Sequence, residues 1–251
     1  MRAARDHILL LLAVFVFCGP VLWALSAALA PSQITSNWQA LTGQLSTQAH
    51  GPGLERIVMV SFVLAVMVAL LSTLLSFLAA FSLVYFRAAW LPACFGVTLL
   101  TLYFPIEARM IHTFDVVASL GLTSSLAGLT LPVLQLALGT LFLRQRLKTL
   151  PPELFQAAQL DGAGPLRCLL EIALPLTWRA VAVLLLVTFV AGWNQYLWPL
   201  MASVDDRHWT LVRALERVSL SSGAGALLAA MAMLPPLVFV TLLATRDRAS
   251  E

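Results

Sequence analysis

Charged residues are scarce in this sequence. Only 11% of its 251 residues are Asp, Glu, Lys or Arg, and 60% are hydrophobic, whereas roughly 25% of the residues in soluble domains are charged. A chain of this composition cannot cover its surface with polar groups, so the sequence predicts a protein that is solvated by lipid. The net charge of +3 does not favour nucleic-acid binding, because the basic residues are spread along the chain rather than clustered.

The sequence also lacks the residue patterns that catalytic and metal sites need. The only lysine, Lys148, follows Leu147, whereas a phosphate-binding P-loop requires G-x-x-x-x-G-K-[ST]. The three cysteines show no C-x-x-C spacing, and the four histidines lie in separate segments, which favours neither a zinc site nor a disulfide framework. We therefore predict no catalytic residue, no metal site and no cofactor in this chain.

Long apolar runs separated by short polar segments predict an all-α polytopic membrane protein with about six transmembrane helices in one domain, residues 1–251. A bilayer is crossed by about 20 residues of helix. The predicted spans are approximately residues 8–30, 57–86, 91–104, 126–143, 176–200 and 223–244. The first run is longer than the apolar region of a signal peptide and is interpreted as a retained helix, with cleavage after it as the alternative.

Polar residues predict two further features of this arrangement. The segment 31–56 is rich in Ser, Thr, Gln and Gly and predicts an external loop. Within the second span, small polar residues predict close helix contacts with hydrogen bonds between helices. These residues are Ser61, Ser72, Thr73, Ser76 and Ser82.

The basic residues also predict the orientation of the chain. With the amino terminus inside the cell, ten basic residues lie on the inner side: Arg2, Arg5, Arg87, Arg144, Arg146, Lys148, Arg167, Arg179, Arg246 and Arg248. Five lie on the outer side: Arg56, Arg109, Arg207, Arg213 and Arg217. This excess follows the positive-inside rule and predicts that both termini and the segment 149–175 face the cytoplasm.

The segment 149–175 is polar between two apolar spans, and it has the pattern of a bent pair of short helices. Pro151 and Pro152 favour a helix start, and Asp161–Gly162 favours its end. Gly164–Pro165 then predicts a second short helix that ends at Leu174–Pro175. Its predicted buried side carries Leu166, Leu169, Leu170 and Ile172.

The run Q-A-A-x-x-D-G-A in this segment resembles the EAA loop in permease subunits of binding-protein-dependent ABC importers. The resemblance implies that the segment forms coupling helices that dock on an ATP-binding subunit. The residues matched to this role are Gln156, Ala157, Ala158, Asp161, Gly162, Ala163, Pro165, Leu169 and Pro175. Gln156 stands where the family usually has Glu, and a neutral hydrogen bond is weaker than a charge-assisted one, so weaker coupling is expected.

Two other constellations are candidates for a substrate pathway. In the segment G-W-N-Q-Y-L-W-P, the aromatic residues fit either an interfacial aromatic belt or a polyol site, and the amides prefer a cavity to lipid. The pathway candidates here are Trp193, Asn194, Gln195 and Tyr196. In the second constellation, Glu107 and Arg109 form either a local ion pair or a site where the guanidinium binds a phosphate bidentately.

PIEAR, LAGLTLPV, FLRQRLKTLPPEL and GWNQYLWPL resemble the carbohydrate-uptake branch of that family, in particular its sn-glycerol-3-phosphate permeases. The resemblance implies a multi-pass protein of the bacterial inner membrane that imports glycerol-3-phosphate or related glycerophosphodiesters by alternating access. It also implies four kinds of partner: a homologous permease subunit, an ATP-binding subunit dimer with its ATP and Mg²⁺, a periplasmic or lipid-anchored binding protein, and membrane lipid.

Three other functions remain open. The first is import of a neutral sugar or polyol. The second is transport without an ATPase, for which the sequence shows neither the paired repeats nor the broken helices that such transporters carry. The third is a structural subunit of a membrane complex, in which the segment 149–175 would be a static contact.

Overall fold

The computed structural model describes residues 33–46, 53–86, 88–104, 106–205, 208–218 and 222–248, with a few isolated positions between 19 and 30. The predicted first span, residues 8–30, therefore lies almost entirely outside the described residues. The described chain is helical and contains no strand, which confirms the all-α prediction. Its helices are α1 Ile34–Ser46, α2 Leu54–Tyr85, α3 Leu91–Leu100, α4 Ile106–Ser119, α5 Leu126–Thr130, α6 Leu136–Leu147, α7 Pro152–Leu160, α8 Pro165–Trp193, α9 Leu197–Ala202, α10 Leu211–Ala214 and α11 Gly223–Arg248.

Two helices, α2 and α8, are each long and apolar enough to cross a membrane. Two bent helix pairs raise the number of possible spans to four within the described residues. One of these pairs, Leu126–Val133 with Leu136–Leu147, bends by 52°. The protein is therefore a membrane protein, and the count of six spans stays a prediction.

The chain forms two compact units, residues 1–60 with 209–251 and residues 61–208. In the first unit α1 packs against α11. The segment 31–56 was predicted as an external loop, but residues 34–46 of it are helical. The loop prediction is therefore wrong for these residues, and their external position stays a prediction. Ile34, Trp38, Leu41 and Leu45 recur at helical spacing, and Leu41 and Leu45 are buried, so this otherwise polar segment has an apolar face to pack.

The second unit is held by helices that approach closely along α2. The Ser76 hydroxyl donates to the Leu136 carbonyl at 3.2 Å, and the Thr73 and Thr188 hydroxyls lie 3.4 Å apart. Glycine makes this approach possible: a Cβ on Gly139 would overlap the Ser76 side chain. The predicted polar helix contacts are therefore confirmed for Thr73 and Ser76, whereas Ser82 donates within its own helix.

The sequence predicted that a short helix ends at Leu174–Pro175 and that a separate membrane span follows it. In the structure, helix α8 begins at Pro165 and continues through Pro175. The second short helix and the following span are one continuous helix. A π-helical segment, Cys168–Ala173, lies just before Pro175, and the Leu174 N–H donates to the Leu169 carbonyl, five residues back. A proline inside an α-helix removes one backbone hydrogen bond and clashes with the preceding turn. The wider π turn accommodates such a residue without ending the helix.

Candidate coupling surface and substrate pocket

The bend after α7 is fixed by its backbone. Gly162 has φ +78°, a conformation that glycine adopts without a Cβ penalty. The Gly162 N–H donates to the Gln159 carbonyl at 3.1 Å, and the Ala163 N–H donates to the Ala158 carbonyl at 2.8 Å. These two bonds form a Schellman motif, so the predicted helix end at Asp161–Gly162 is confirmed as a defined turn.

Apolar contacts attach this bend to the end of α2. The centroid of the Phe155 ring lies 6.3 Å from that of Phe81 and 6.1 Å from that of Tyr85, and both ring pairs are edge-on. Leu169 and Cys168 are buried in the same cluster, and Ala158 and Ala163 pack against it. Ala158 and Ala163 therefore serve the packing of the bend, and Cys168 is a buried core residue rather than an accessible thiol.

The outer side of the bend is exposed. Leu160 is 90% exposed and Leu166 67% exposed, although the sequence placed Leu166 on a buried side together with Leu170, which is also exposed. Two of the four residues of that predicted side, Leu169 and Ile172, do face the core. The remaining coupling candidates are all exposed: Gln156, Ala157, Asp161, Gly162, Pro165 and Pro175.

We call the exposed side of the bend the coupling surface, defined by Gln156, Ala157, Leu160, Asp161 and Leu166. A groove of about 700 Å³ lies beside it, lined by the ends of α2, α6 and α7. Gln156 also lines this groove. Two exposed leucines beside a fixed turn and a groove offer apolar area to another protein. The sequence predicted neither of them as exposed, and it placed Leu166 on a buried side.

A second pocket, a candidate for substrate binding that we call the substrate pocket, is lined by three polar residues from different parts of residues 61–208. Its volume is about 510 Å³. Arg109 comes from α4, Gln195 from the link between α8 and α9, and Gln135 from the link between α5 and α6. Thr98 and Thr101 also line it. The structure therefore brings together Arg109 and Gln195, which were predicted from separate motifs, and adds Gln135, which was not predicted.

The substrate pocket forms where two helices are interrupted. Between Leu126–Val133 and α6 the chain bends, and at the bend the Gln135 N–H donates to the Ser72 hydroxyl at 3.2 Å. The expectation that the chain contains no broken helix is wrong. Its sequence signal is Pro132, which lacks an N–H and disrupts the regular helix.

The aromatic residues of the G-W-N-Q-Y-L-W-P segment mostly serve packing. Trp193 is buried and stacks on Phe189 with ring centroids 6.1 Å apart. Trp198 is buried, and its indole Nε1–H donates to the Gly128 carbonyl at 3.0 Å. The aromatic-belt interpretation is therefore wrong for these two residues.

Helix α8 ends at Trp193, rather than continuing to Leu200 as the sequence predicted. Asn194 is exposed as the helix cap, and Tyr196 is half-buried. Neither residue lines the substrate pocket, and nor does Trp193. Gln195 is therefore the one pathway candidate of this segment that lines the substrate pocket.

Arg109 is exposed and makes no ion pair with any residue that the structure describes. The side chain of Glu107, its predicted partner in the alternative interpretation, lies outside the described residues. An exposed guanidinium beside two amides can bind an anion through charge-assisted hydrogen bonds. No group of three His, Cys, Asp or Glu residues suited to a metal ion occurs among the described residues.

The fold is that of the membrane subunits of bacterial ABC transporters. It superposes on a chain from the crystal structure of a bacterial ABC transporter involved in the import of the acidic polysaccharide alginate, with a TM-score of 0.78 and 17% sequence identity over 97% of this chain and 95% of that chain. This likeness establishes the fold of the chain.

Sequence relatives define the family. The sn-glycerol-3-phosphate transport system permease protein UgpE of Agrobacterium fabrum is 33% identical over 94% of this chain and 91% of its own length. UgpE of Yersinia pestis is 38% identical over 90% of this chain and 78% of its own length. The chain belongs to the UgpE family of ABC importer permeases, whose members are transport subunits of a larger complex. No protein-family model matches the chain.

Proposed function

We propose that this chain forms half of the translocation pathway of an ATP-driven importer for glycerol-3-phosphate or related glycerophosphodiesters. A homologous permease subunit forms the other half. A dimer of ATP-binding subunits hydrolyses ATP with Mg²⁺, and a periplasmic or lipid-anchored protein delivers the substrate. The chain lies in the bacterial inner membrane with both termini in the cytoplasm.

The observation that carries the coupling role is the coupling surface itself. Leu160 and Leu166 are exposed on a turn whose backbone is fixed by the Schellman motif. Covering exposed leucines with a partner protein removes apolar area from water and therefore stabilises the complex. Phe155 packs the turn against the cluster that holds Phe81 of α2 and Leu169 of α8, so a partner that moves the turn moves these two helices.

Helix α8 connects the coupling surface to the substrate pocket. It runs without interruption from Pro165, beside the bend, to Trp193, two residues before Gln195. A rigid element with a docking site at one end and a substrate contact at the other transmits displacement in alternating access. ATP-driven closure of the partner subunits would thus change the shape of the substrate pocket.

The coupling role is tested by changing the bend. Proline fixes φ near −65° and cannot adopt the φ of +78° at Gly162, so Gly162→Pro must alter the coupling surface. Gly162→Asn is the matched control, because asparagine tolerates this conformation. In proteoliposomes with the assembled complex, Gly162→Pro and Asp161→Lys should abolish ATP-dependent uptake, and Gly162→Asn should retain most of it. Unchanged uptake in both Gly162→Pro and Asp161→Lys would overturn the coupling role.

The substrate assignment is supported by the chemistry of the substrate pocket and by the names of the UgpE relatives. Arg109 supplies a positive charge that suits a phosphate, while Gln135 and Gln195 supply amides that suit hydroxyl groups. Arg109→Ala should reduce uptake of sn-glycerol-3-phosphate at least tenfold, and Arg109→Lys should reduce it less. Equal loss for phosphate-bearing and neutral substrates would exclude an anion-specific role.

Import of a neutral sugar or polyol is the second candidate. Thr98, Thr101 and the two glutamines give the substrate pocket more neutral hydrogen-bonding groups than charges. In this case Gln195→Ala would reduce uptake strongly and Arg109→Ala would not. Uptake measured with sn-glycerol-3-phosphate, glycerol and a neutral disaccharide in parallel separates the two candidates.

A further inference from the structure

A third pocket, which we call the Arg144 pocket, lies at the end of α6. Its volume is about 370 Å³. Its walls are mostly apolar and come from the end of α2, the link to α3, and α3 itself. Its lining includes Leu83, Phe86, Leu91, Pro92, Phe95 and Arg144.

Arg144 is a half-buried cation without a counterion in the described chain. Its guanidinium stacks over the Phe95 ring, with Cζ 4.3 Å from the ring centroid. Its Nε atom is buried and has no hydrogen-bond acceptor among the described residues. An unsatisfied buried hydrogen-bond donor, more so on a charged group, is destabilising, so a bound anion would satisfy a group that the described chain leaves unsatisfied.

The surroundings of Arg144 determine what kind of anion suits the pocket. The pocket opens beside the last residues of α2, a helix long and apolar enough to cross the membrane. Arg146 and Lys148, in the same turn, are exposed, and the positive-inside distribution places this end at the cytoplasmic leaflet. Apolar walls next to a guanidinium at a membrane interface match a molecule with an acyl chain and a phosphate.

We propose that the Arg144 pocket binds an anionic membrane phospholipid from the cytoplasmic leaflet. The lipid phosphate accepts hydrogen bonds from the Arg144 guanidinium, which the Phe95 ring holds in place. The first part of an acyl chain lies against Leu83 and Leu91. The Arg144 pocket is separate from both the coupling surface and the substrate pocket.

The test measures lipid retention by the purified importer complex. The complex is exchanged from nanodiscs that contain phosphatidylglycerol and phosphatidylcholine into detergent, and the lipids that remain bound are quantified by mass spectrometry. Arg144→Gln should lower retained phosphatidylglycerol about tenfold. Arg146→Gln, which changes an exposed arginine two residues away, should leave it unchanged. Arg144→Lys should give an intermediate value, because lysine keeps the charge but binds phosphate as a point charge.

Four results would overturn the proposal. The first is equal phosphatidylglycerol retention by wild type, Arg144→Gln and Arg144→Lys, with unchanged thermal midpoints. The second is equal retention of phosphatidylcholine and phosphatidylglycerol by the wild type. The third is release of the lipid by millimolar inorganic phosphate, which would identify a free-phosphate site. The fourth is a carboxylate of another subunit paired with Arg144 in the assembled complex.

Discussion

Replacing Leu160 by serine isolates the contribution of the coupling surface to partner binding. Leu160 is 90% exposed, so in the free chain its side chain has almost no packing to lose. A substitution at such a position changes the free energy of unfolding by less than about 0.5 kcal/mol. We therefore expect Leu160→Ser to fold with the same thermal midpoint as the wild type.

The effect should appear only on binding. Burying a leucine side chain completely contributes about 2 kcal/mol, and about 1.4 kcal/mol corresponds to a tenfold change in affinity. If the ATP-binding subunit covers Leu160, the dissociation constant for that subunit should rise roughly 30-fold in Leu160→Ser. The assay is a titration of the purified ATP-binding subunit onto the permease pair in nanodiscs.

Leu120→Ser is the matched control for this measurement. Leu120 is also largely exposed, at 65%, but it follows α4 rather than α7. Its substitution should leave the dissociation constant unchanged. If Leu160→Ser and Leu120→Ser both leave binding unchanged, or weaken it equally, Leu160 is not part of the docking contact and the reasoning from its exposure fails.

Three further predictions concern packing among residues 61–208. Gly139→Val should destabilise the fold by about 1–3 kcal/mol through overpacking and lower the thermal midpoint, because the valine side chain would overlap Ser76. Gly96→Val is the control, since a Cβ at Gly96 meets nothing within 4 Å. Trp198→Phe should cost about 1–3 kcal/mol, since the buried Gly128 carbonyl loses its donor; a midpoint shift no larger than that of Trp90→Phe at an exposed site would contradict this. Leu169→Ala should cost about 2–5 kcal/mol in unfolding experiments, because Leu169 is buried beneath the bend, and a neutral result would mean that the bend is not anchored there.

Local backbone chemistry was the part of the fold that the sequence predicted best. The end of α7 follows from glycine, which alone adopts a positive φ without strain, and Gly162 does so. The hydrogen bonds of Thr73 and Ser76 follow from small polar residues on an apolar helix. In the first case the deciding interaction lies within one turn of the chain. In the second the partners, Thr188 and Leu136, are distant in the chain, and the prediction rested on the residue type alone.

Tertiary packing decided the features that the sequence predicted wrongly. The segment 34–46 forms α1 because Leu41 and Leu45 find a buried environment, which the polar average of that segment conceals. Helix α8 continues through Pro175 because a π turn accommodates the proline. The first outcome depends on the packing of α1 against α11, and the second on a backbone hydrogen bond five residues back, so the average propensity of the segment predicts neither.

In the candidate sites too, the sequence predicted the motif residues, whereas their exposure and grouping depend on tertiary structure. The motif residues of the coupling surface were found by pattern, but the exposure of Leu160 and Leu166 depends on which face of each helix packs. Arg109 and Gln195 were separate candidates in the sequence, and their common pocket depends on breaks in two helices. Gln135 was missed because an isolated glutamine in an apolar run carries no recognisable pattern.

Cross-linking in intact cells tests the central claim, that an ATP-binding subunit binds the bend in the cytoplasm. A cysteine introduced at the exposed Ala157, in a background where the three natural cysteines are replaced, should cross-link to the ATP-binding subunit with a membrane-permeant bismaleimide. A cysteine at Leu120 should not. Labelling of the Ala157→Cys variant by a membrane-impermeant maleimide added outside the cells, without any cross-link to an ATP-binding subunit, would contradict the account.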